Sequence, residues 1–164
     1  MFFENFNGIV SLEDFYANPN RFAFETEIGF TIQHFFYTKK ASELNKSILD
    51  FSLVSDYAFA LTTLSKQELS VYEQFFNYIF SQITLPDLLV VLDAPENILM
   101  ERIASRGRES EKSINIDYLS LLKCNLSKAI DKIYSKIPVY KIDTTVIAKE
   151  QYNKKFITEI LKTI

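Results

Sequence analysis

The sequence is poor in the residue types that form disulfides and bind transition metals. Its 164 residues include one cysteine, Cys124, and one histidine, His34. A single thiol cannot form an internal disulfide, and two soft ligands are too few for a structural zinc site. The same scarcity argues against a His-based catalytic pair and a hydrolase triad. We therefore expect both residues to have structural roles.

Glycine is scarce enough to exclude two phosphate-binding motifs. The only glycines are Gly8, Gly29 and Gly107. A Walker A loop needs a second glycine five positions after the first, and a dinucleotide-binding loop needs three glycines within six residues. No two glycines of the sequence have either spacing. Neither loop is therefore present in these 164 residues.

The sequence also lacks an excess of one charge and a long apolar run. Lys and Arg total 18 against 21 Asp and Glu, a formal charge of −3, so no broad basic surface for nucleic acid or an anionic membrane is expected. Apolar runs such as residues 88–91 are far shorter than the roughly 20 residues of a membrane helix, and no signal peptide is recognisable. We predict one cytoplasmic globular domain over residues 1–164, with no nucleic-acid or membrane partner.

Apolar patterning predicts alternating strands and helices. Strands are predicted at residues 2–4, 47–55, 88–93 and 138–144, and helices from residue 11, at 20–41, from 65, at 95–105, at 118–134 and at 151–164. Ser65 and Glu68 have the spacing of a capping box. The run at 88–93 is apolar throughout, which predicts a strand without a wet face. The alternation indicates an α/β domain with a parallel sheet flanked by helices.

The predicted helix at 20–41 carries more apolar side chains than one stripe needs. They are Phe22, Ile28, Phe30, Ile32, Phe35 and Phe36. A surface this broad predicts a helix packed on several sides. It is equally compatible with the interface of a homodimer.

Four segments, taken in order, resemble the deoxynucleoside kinase family. They are FYANPNRFAFETE at 15–27, VSDY at 54–57, PDLLVVLDAP at 86–95 and RIASRGRESE at 102–111. The first segment and the arginine-rich segment, with the Tyr118-Leu119 that follows, are the most specific. The resemblance spans residues 2 to about 145 and is strongest to bacterial deoxyadenosine and deoxyguanosine kinases.

The resemblance implies a P-loop nucleotide-kinase fold and a phosphotransfer reaction. Members transfer the γ-phosphoryl group of ATP, with Mg²⁺, to the 5′-hydroxyl of a deoxynucleoside, and they are often dimers. Such a reaction needs a carboxylate near the nucleophile, acids for the metal and mobile guanidinium groups for the phosphates.

On the catalytic side, the resemblance assigns four residues. Glu4 matches the general base that follows the family's second strand. Asp56 matches the acid that ends the third strand, near the magnesium ion and the 5′-hydroxyl. Arg106 and Arg108 match the lid that closes over the phosphates of ATP.

On the substrate side, the resemblance assigns three residues. Tyr16 and Glu111 match the pair that holds the sugar 3′-hydroxyl. Glu27 matches the side chain that reads the edge of the base. Each could instead be an ordinary surface or helix-edge residue without contact to a substrate.

The sequence departs from the family at one point of consequence. The family begins with a strand and the Walker A loop, whereas this sequence opens at the second strand. A truncated reading frame is the simplest interpretation, and we expect the 164 residues alone to be inactive as a kinase. The alternatives are a non-catalytic nucleoside-binding or interaction subunit, and a protein similar to nucleoside monophosphate kinases.

Overall fold

The structure, a computed structural model, describes residues 2–3 and 12–145, with side chains from residue 14 onward. The chain divides into two compact units. The first unit comprises residues 1–84 and 107–135, and the second comprises residues 85–106 and 136–164. Glu4 and the predicted helix at 151–164 lie outside the described residues.

The first unit is mostly helical. Its elements are β1 (Phe2–Phe3), α1 (Leu12–Ala17), α2 (Pro19–Ser42), β2 (Leu49–Asp50), α3 (Leu53–Thr63), α4 (Lys66–Phe80), a 3₁₀ turn (Glu109–Glu111) and α6 (Ile116–Ile133). β1 and β2 pair in parallel, with Phe3 opposite Asp50. Among the described residues, this unit therefore contains five α-helices and one pair of two-residue strands.

The second unit contains β3 (Leu89–Asp93), α5 (Glu96–Arg106) and β4 (Val139–Asp143). β3 and β4 pair in parallel over five residues each. The predicted parallel pairing is therefore confirmed within each pair. Arg102 ties α5 to the end of β4, because its two guanidinium nitrogens donate to the hydroxyl and the carbonyl of Thr144 at 2.9 and 2.6 Å.

Polar caps fix where three helices of the first unit begin. Ser65 and Glu68 form the predicted capping box: Ser65 N donates to the Glu68 carboxylate, and Glu68 N donates to the Ser65 hydroxyl. Ser52 and Asn115 cap α3 and α6 by accepting backbone N–H bonds. Each cap satisfies a donor that the first helical turn leaves unpaired.

The predicted strand at 47–55 is wrong over most of its length. β2 covers Leu49–Asp50, and from Leu53 the chain is helical. α3 contacts α2, α4 and α6. A helix surrounded in this way needs no polar face, so its sequence cannot be told from a buried strand by periodicity. Asp56 consequently lies in the first turn of a helix and not at a strand end.

The core of the first unit is formed by α2, α3, α4 and α6, and its largest buried side chains belong to α3 and α4. Its largest fully buried side chains include Leu53, Tyr57, Tyr72 and Phe76. The Tyr57 and Phe76 rings lie 5.0 Å apart between centroids. Burial of each large apolar side chain contributes about 1.5–3 kcal/mol. This packing holds α3 rigidly beside the buried face of α2.

That face of α2 is not the apolar one predicted from the sequence. The buried residues of the helix are Ala23, Thr26, Glu27, Thr31, His34 and Ala41. Ile32 and Phe36 are instead 44% and 52% exposed. Glu27, Thr31 and His34 each have a hydrogen-bond partner on α3 or α4, and Thr26 bonds to the Phe22 carbonyl of its own helix. The prediction of apolar packing on several sides is wrong at these two positions.

The prediction for β3 also needs a correction. Leu92 is 62% exposed, so the strand does have a wet position.

None of the described helices is both long enough and apolar enough to cross a membrane. The single thiol, Cys124, is exposed on α6.

Candidate functional site

The buried face of α2 presents a row of polar side chains. Glu27, Thr31 and His34 are separated by four and three residues, the spacing that places side chains on one face of a helix. The Thr63 hydroxyl donates to Glu27 Oε1 at 3.0 Å, and the Thr31 and Tyr72 hydroxyls share a bond of 2.7 Å. These two hydrogen bonds link the row to α3 and α4.

His34 and Asp56 form a buried pair at the end of this row. His34 Nδ1 lies 2.8 and 2.9 Å from the two carboxylate oxygens of Asp56, a geometry in which the Nδ1 hydrogen is donated. The Phe51 ring stacks on the imidazole at 4.2 Å between centroids. Both members are buried. Asp56 is thus oriented by an imidazole, and its interpretation as a strand-terminal acid is wrong.

Sequence reasoning missed His34 as part of the site. The available signal was its position seven residues after Glu27, which puts both on one face of α2. Thr63 was also missed, because a threonine in an apolar segment has no distinguishing pattern. Only the packing of α3 against α2 brings its hydroxyl to Glu27.

The pKa of the Glu27 carboxyl group is raised. Burial disfavours its charged form and raises its pKa to about 8. The Thr63 hydrogen bond acts in the opposite direction, and the charge of Asp56 adds a smaller upward contribution. At pH 7 the carboxyl group is therefore mostly protonated. It can both donate and accept a hydrogen bond, as an amide does.

Two other predicted site residues lie side by side. Arg108 Nη1 is 3.2 Å from Glu111 Oε1. The Glu111 side chain is buried, whereas that of Arg108 is half exposed. The 3₁₀ turn that carries Glu111 contacts α1, the helix that carries Tyr16. The structure thus brings the segments of Tyr16 and Glu111 together and couples Glu111 to an arginine of the predicted lid.

The two predicted lid arginines belong to different units. Arg106 is the last residue of α5 and is exposed. Gly107 follows with φ of +66°, a left-handed conformation that strains any residue with a Cβ atom. Arg108 then precedes the 3₁₀ turn of the first unit. Their joint action on one phosphate group stays a prediction.

Asp50 ends β2 and takes the place in the fold that the sequence had assigned to Asp56. It is exposed, and it lies opposite Phe3, the residue before Glu4. No group of three or more His, Cys, Asp or Glu in the described part of the chain is placed to hold a metal ion.

Comparison with known proteins supports a single family. The sequence profile of the family described as "Deoxynucleoside kinase" matches residues 3–164. The deoxyguanosine kinase of Bacillus subtilis is 26% identical over 151 residues, covering 89% of this chain and 71% of that protein. The deoxyadenosine kinase of Dictyostelium discoideum is 25% identical over 148 residues, covering 87% of this chain and 60% of that protein.

Solved structures show the same fold. The deoxyadenosine kinase of M. mycoides with bound dCTP superposes with a TM-score of 0.76 at 21% identity, covering 99% of this chain and 85% of that one. The same enzyme with bound dATP gives 0.78 at 21% identity, with coverages of 98% and 85%. The predicted P-loop kinase fold is confirmed. With the family profile matched from residue 3 to residue 164, the chain belongs to the deoxynucleoside kinase family.

Proposed function

We propose that this chain forms the nucleoside-binding part of a kinase that transfers the γ-phosphoryl group of ATP to the 5′-hydroxyl of a deoxynucleoside. The observation that carries the proposal is the buried carboxyl group of Glu27, which accepts a hydrogen bond from Thr63. A buried acid without a cation is costly, and strongly shifted pKa values concentrate at functional sites. Membership of the family supplies the reaction class.

Glu27 is proposed to read the edge of the base. Its mostly protonated carboxyl group offers one donor and one acceptor, which matches the paired donor and acceptor of a nucleobase edge. The His34–Asp56 pair beside it holds α2 against α3 and so fixes where the carboxyl group stands. This pair positions the site and need not touch the substrate.

Tyr16 and Glu111 are proposed to hold the 3′-hydroxyl of the sugar. The contact between α1 and the 3₁₀ turn supports this assignment, as does the burial of Glu111. In the structure Glu111 is already engaged by Arg108. A nucleoside hydroxyl that donates to Glu111 therefore competes with, or joins, that ion pair.

Asp56 remains proposed as the acid near the magnesium ion and the 5′-hydroxyl, and Asp50, which ends β2, is proposed as a second acid for that role. Phosphoryl transfer needs acidic groups at the carboxyl ends of parallel strands, and Asp50 is the residue that ends β2. Its strand partner Phe3 precedes Glu4, which remains the proposed general base. A bound magnesium ion and ATP would supply charge neutralisation and the phosphoryl group, and Arg106 and Arg108 are proposed to contact the phosphates.

Calorimetric titration of the 164-residue chain with the four deoxynucleosides tests the proposal. We expect binding of at least one of them, weakened at least tenfold by Glu27→Ala. Glu25→Ala is the matched control, because Glu25 is an exposed residue of the same helix. Absence of binding to all four would contradict the proposal.

A non-catalytic nucleoside-binding protein is the second candidate. The hydrogen bonds around Glu27 favour it, because they would serve nucleoside binding without any phosphoryl transfer. Binding of a deoxynucleoside by an assembly that never turns over ATP would distinguish it from a kinase. The predictions of a homodimer and of a cytoplasmic location remain predictions.

A further inference from the structure

The Tyr118 hydroxyl is a buried polar group without a hydrogen-bond partner among the described residues. A buried hydroxyl without a hydrogen-bond partner destabilises the folded state, so such groups are rare and need an explanation. Nothing in the roles assigned so far uses this side chain. Yet the tyrosine belongs to one of the two most distinctive segments of the sequence.

The backbone of Tyr118 is firmly placed. It lies in the first turn of α6, where its N–H donates to the Asn115 side chain at 2.8 Å. Four residues before that cap is Glu111, whose 3₁₀ turn contacts α1. The backbone of Tyr118 thus starts a helix that follows shortly after the turn of Glu111.

Two proposed substrate contacts act electrostatically on the hydroxyl. Burial raises the pKa of Tyr118, and the neighbouring groups of Tyr16 and then Glu27 raise it further. The phenol is therefore neutral at any physiological pH and can donate its proton. Both neighbours belong to the proposed substrate contacts, so the hydroxyl lies within electrostatic range of that site.

We propose that the Tyr118 hydroxyl donates a hydrogen bond to the 3′-hydroxyl of the bound deoxynucleoside. This inference rests on the proposed function. A sugar hydroxyl has one proton to donate and two lone pairs to accept with. Glu111 takes the proton, and the Tyr16 and Tyr118 hydroxyls fill the two lone pairs. The ligand thereby supplies the partner that Tyr118 lacks.

Tyr118→Phe tests the inference through two independent measurements. Without ligand, the variant should be as stable as the wild type or more stable, because an unpaired buried hydroxyl is removed. The matched control is Tyr72→Phe, which deletes a buried hydroxyl that is bonded to Thr31 at 2.7 Å and should lower the melting temperature. A melting temperature lowered equally in both variants would overturn the inference.

The second measurement is ligand affinity. Tyr118→Phe should weaken the tightest-binding deoxynucleoside about two- to tenfold, the range of one neutral hydrogen bond. The same variant should bind the corresponding 2′,3′-dideoxynucleoside as the wild type does, since that ligand has no 3′-hydroxyl. An equal loss with both ligands, or no loss with either, would overturn the assignment. If the wild type binds no nucleoside, the proposed function fails together with it.

Discussion

The carboxyl group of Glu27 predicts a particular dependence of stability on pH. Its pKa is about 8 in the folded protein, against 4.5 for the unperturbed group. Between these values the folded state holds a proton that the unfolded chain has released, so the free energy of unfolding falls as pH rises. The contribution of Glu27 to the free energy of unfolding is complete below pH 4.5 and decreases as the pH rises to 8. We expect a loss of about 3–5 kcal/mol from this group.

Glu27→Gln separates this effect from all other titrations. Glutamine keeps the shape and accepts the Thr63 bond, but it has no proton to lose. Between pH 5 and 8.5, the free energy of unfolding measured in urea should decrease with rising pH in the wild type and in Glu25→Gln. In Glu27→Gln it should depend much less on pH. Parallel curves for all three proteins would contradict the pKa of Glu27.

The His34–Asp56 pair predicts a large cost for removing one member. His34→Leu leaves a buried carboxylate without the Nδ1 donor that now lies 2.8 Å away. Breaking a buried pair in this way costs about 3–5 kcal/mol. Replacing both members by leucine should recover much of that loss, because no buried charge is then left unpaired. Denaturant unfolding of the single and double variants measures the difference, and equal losses would contradict the pairing.

Among the elements, the capping box of α4 offers a local test. Ser65→Ala removes the hydroxyl that accepts from Glu68 N and should cost about 0.5–2 kcal/mol. Ser70 is exposed in the interior of the same helix, and alanine is the better helix former there. Ser70→Ala should therefore leave the free energy of unfolding unchanged or slightly higher. A similar loss in both variants would argue against a capping role.

The elements that sequence predicted well are those with local signals. Ser65 and Glu68 indicate the start of a helix because they form its capping box. Pro19 is the first residue of α2, and its fixed φ suits the first turn of a helix. The prediction of a strand in place of α3 was wrong because this segment carries no local signal for a helix. Whether an apolar segment is a strand or a helix depends on what surrounds it, and here three helices do.

In the candidate site, too, residues with local sequence signals were predicted, whereas residues that depend on packing were not. Glu27 and Glu111 stood out in the sequence as acids within specific motifs, and the structure buries both. Asp50 could not be distinguished from Asp56 until the end of β2 was known. His34 was overlooked because its meaning depends on Asp56, which lies 22 residues away in the sequence. Contacts of that kind are set by packing between helices and not by a motif.

For the whole molecule, the absence of a Walker A loop predicts that the 164-residue chain alone does not turn over ATP. The loop supplies the backbone donors and the lysine that cradle the β- and γ-phosphates. Incubation with Mg²⁺, ATP and each deoxynucleoside should therefore yield no deoxynucleoside monophosphate above background. Turnover at the roughly 1–100 per second typical of kinases would require a different phosphate site.

The exposed thiol of Cys124 makes the molecule selectively labelable. It is the only cysteine in the sequence, so a maleimide dye would attach at one place. Six residues separate it from Tyr118 on α6, about 9 Å along the helix axis and about 120° around it. The fluorophore would sit on the helix that carries Tyr118 and on a different face of it. Its emission during titration with deoxynucleosides would then follow binding at a single wavelength, without the need for turnover.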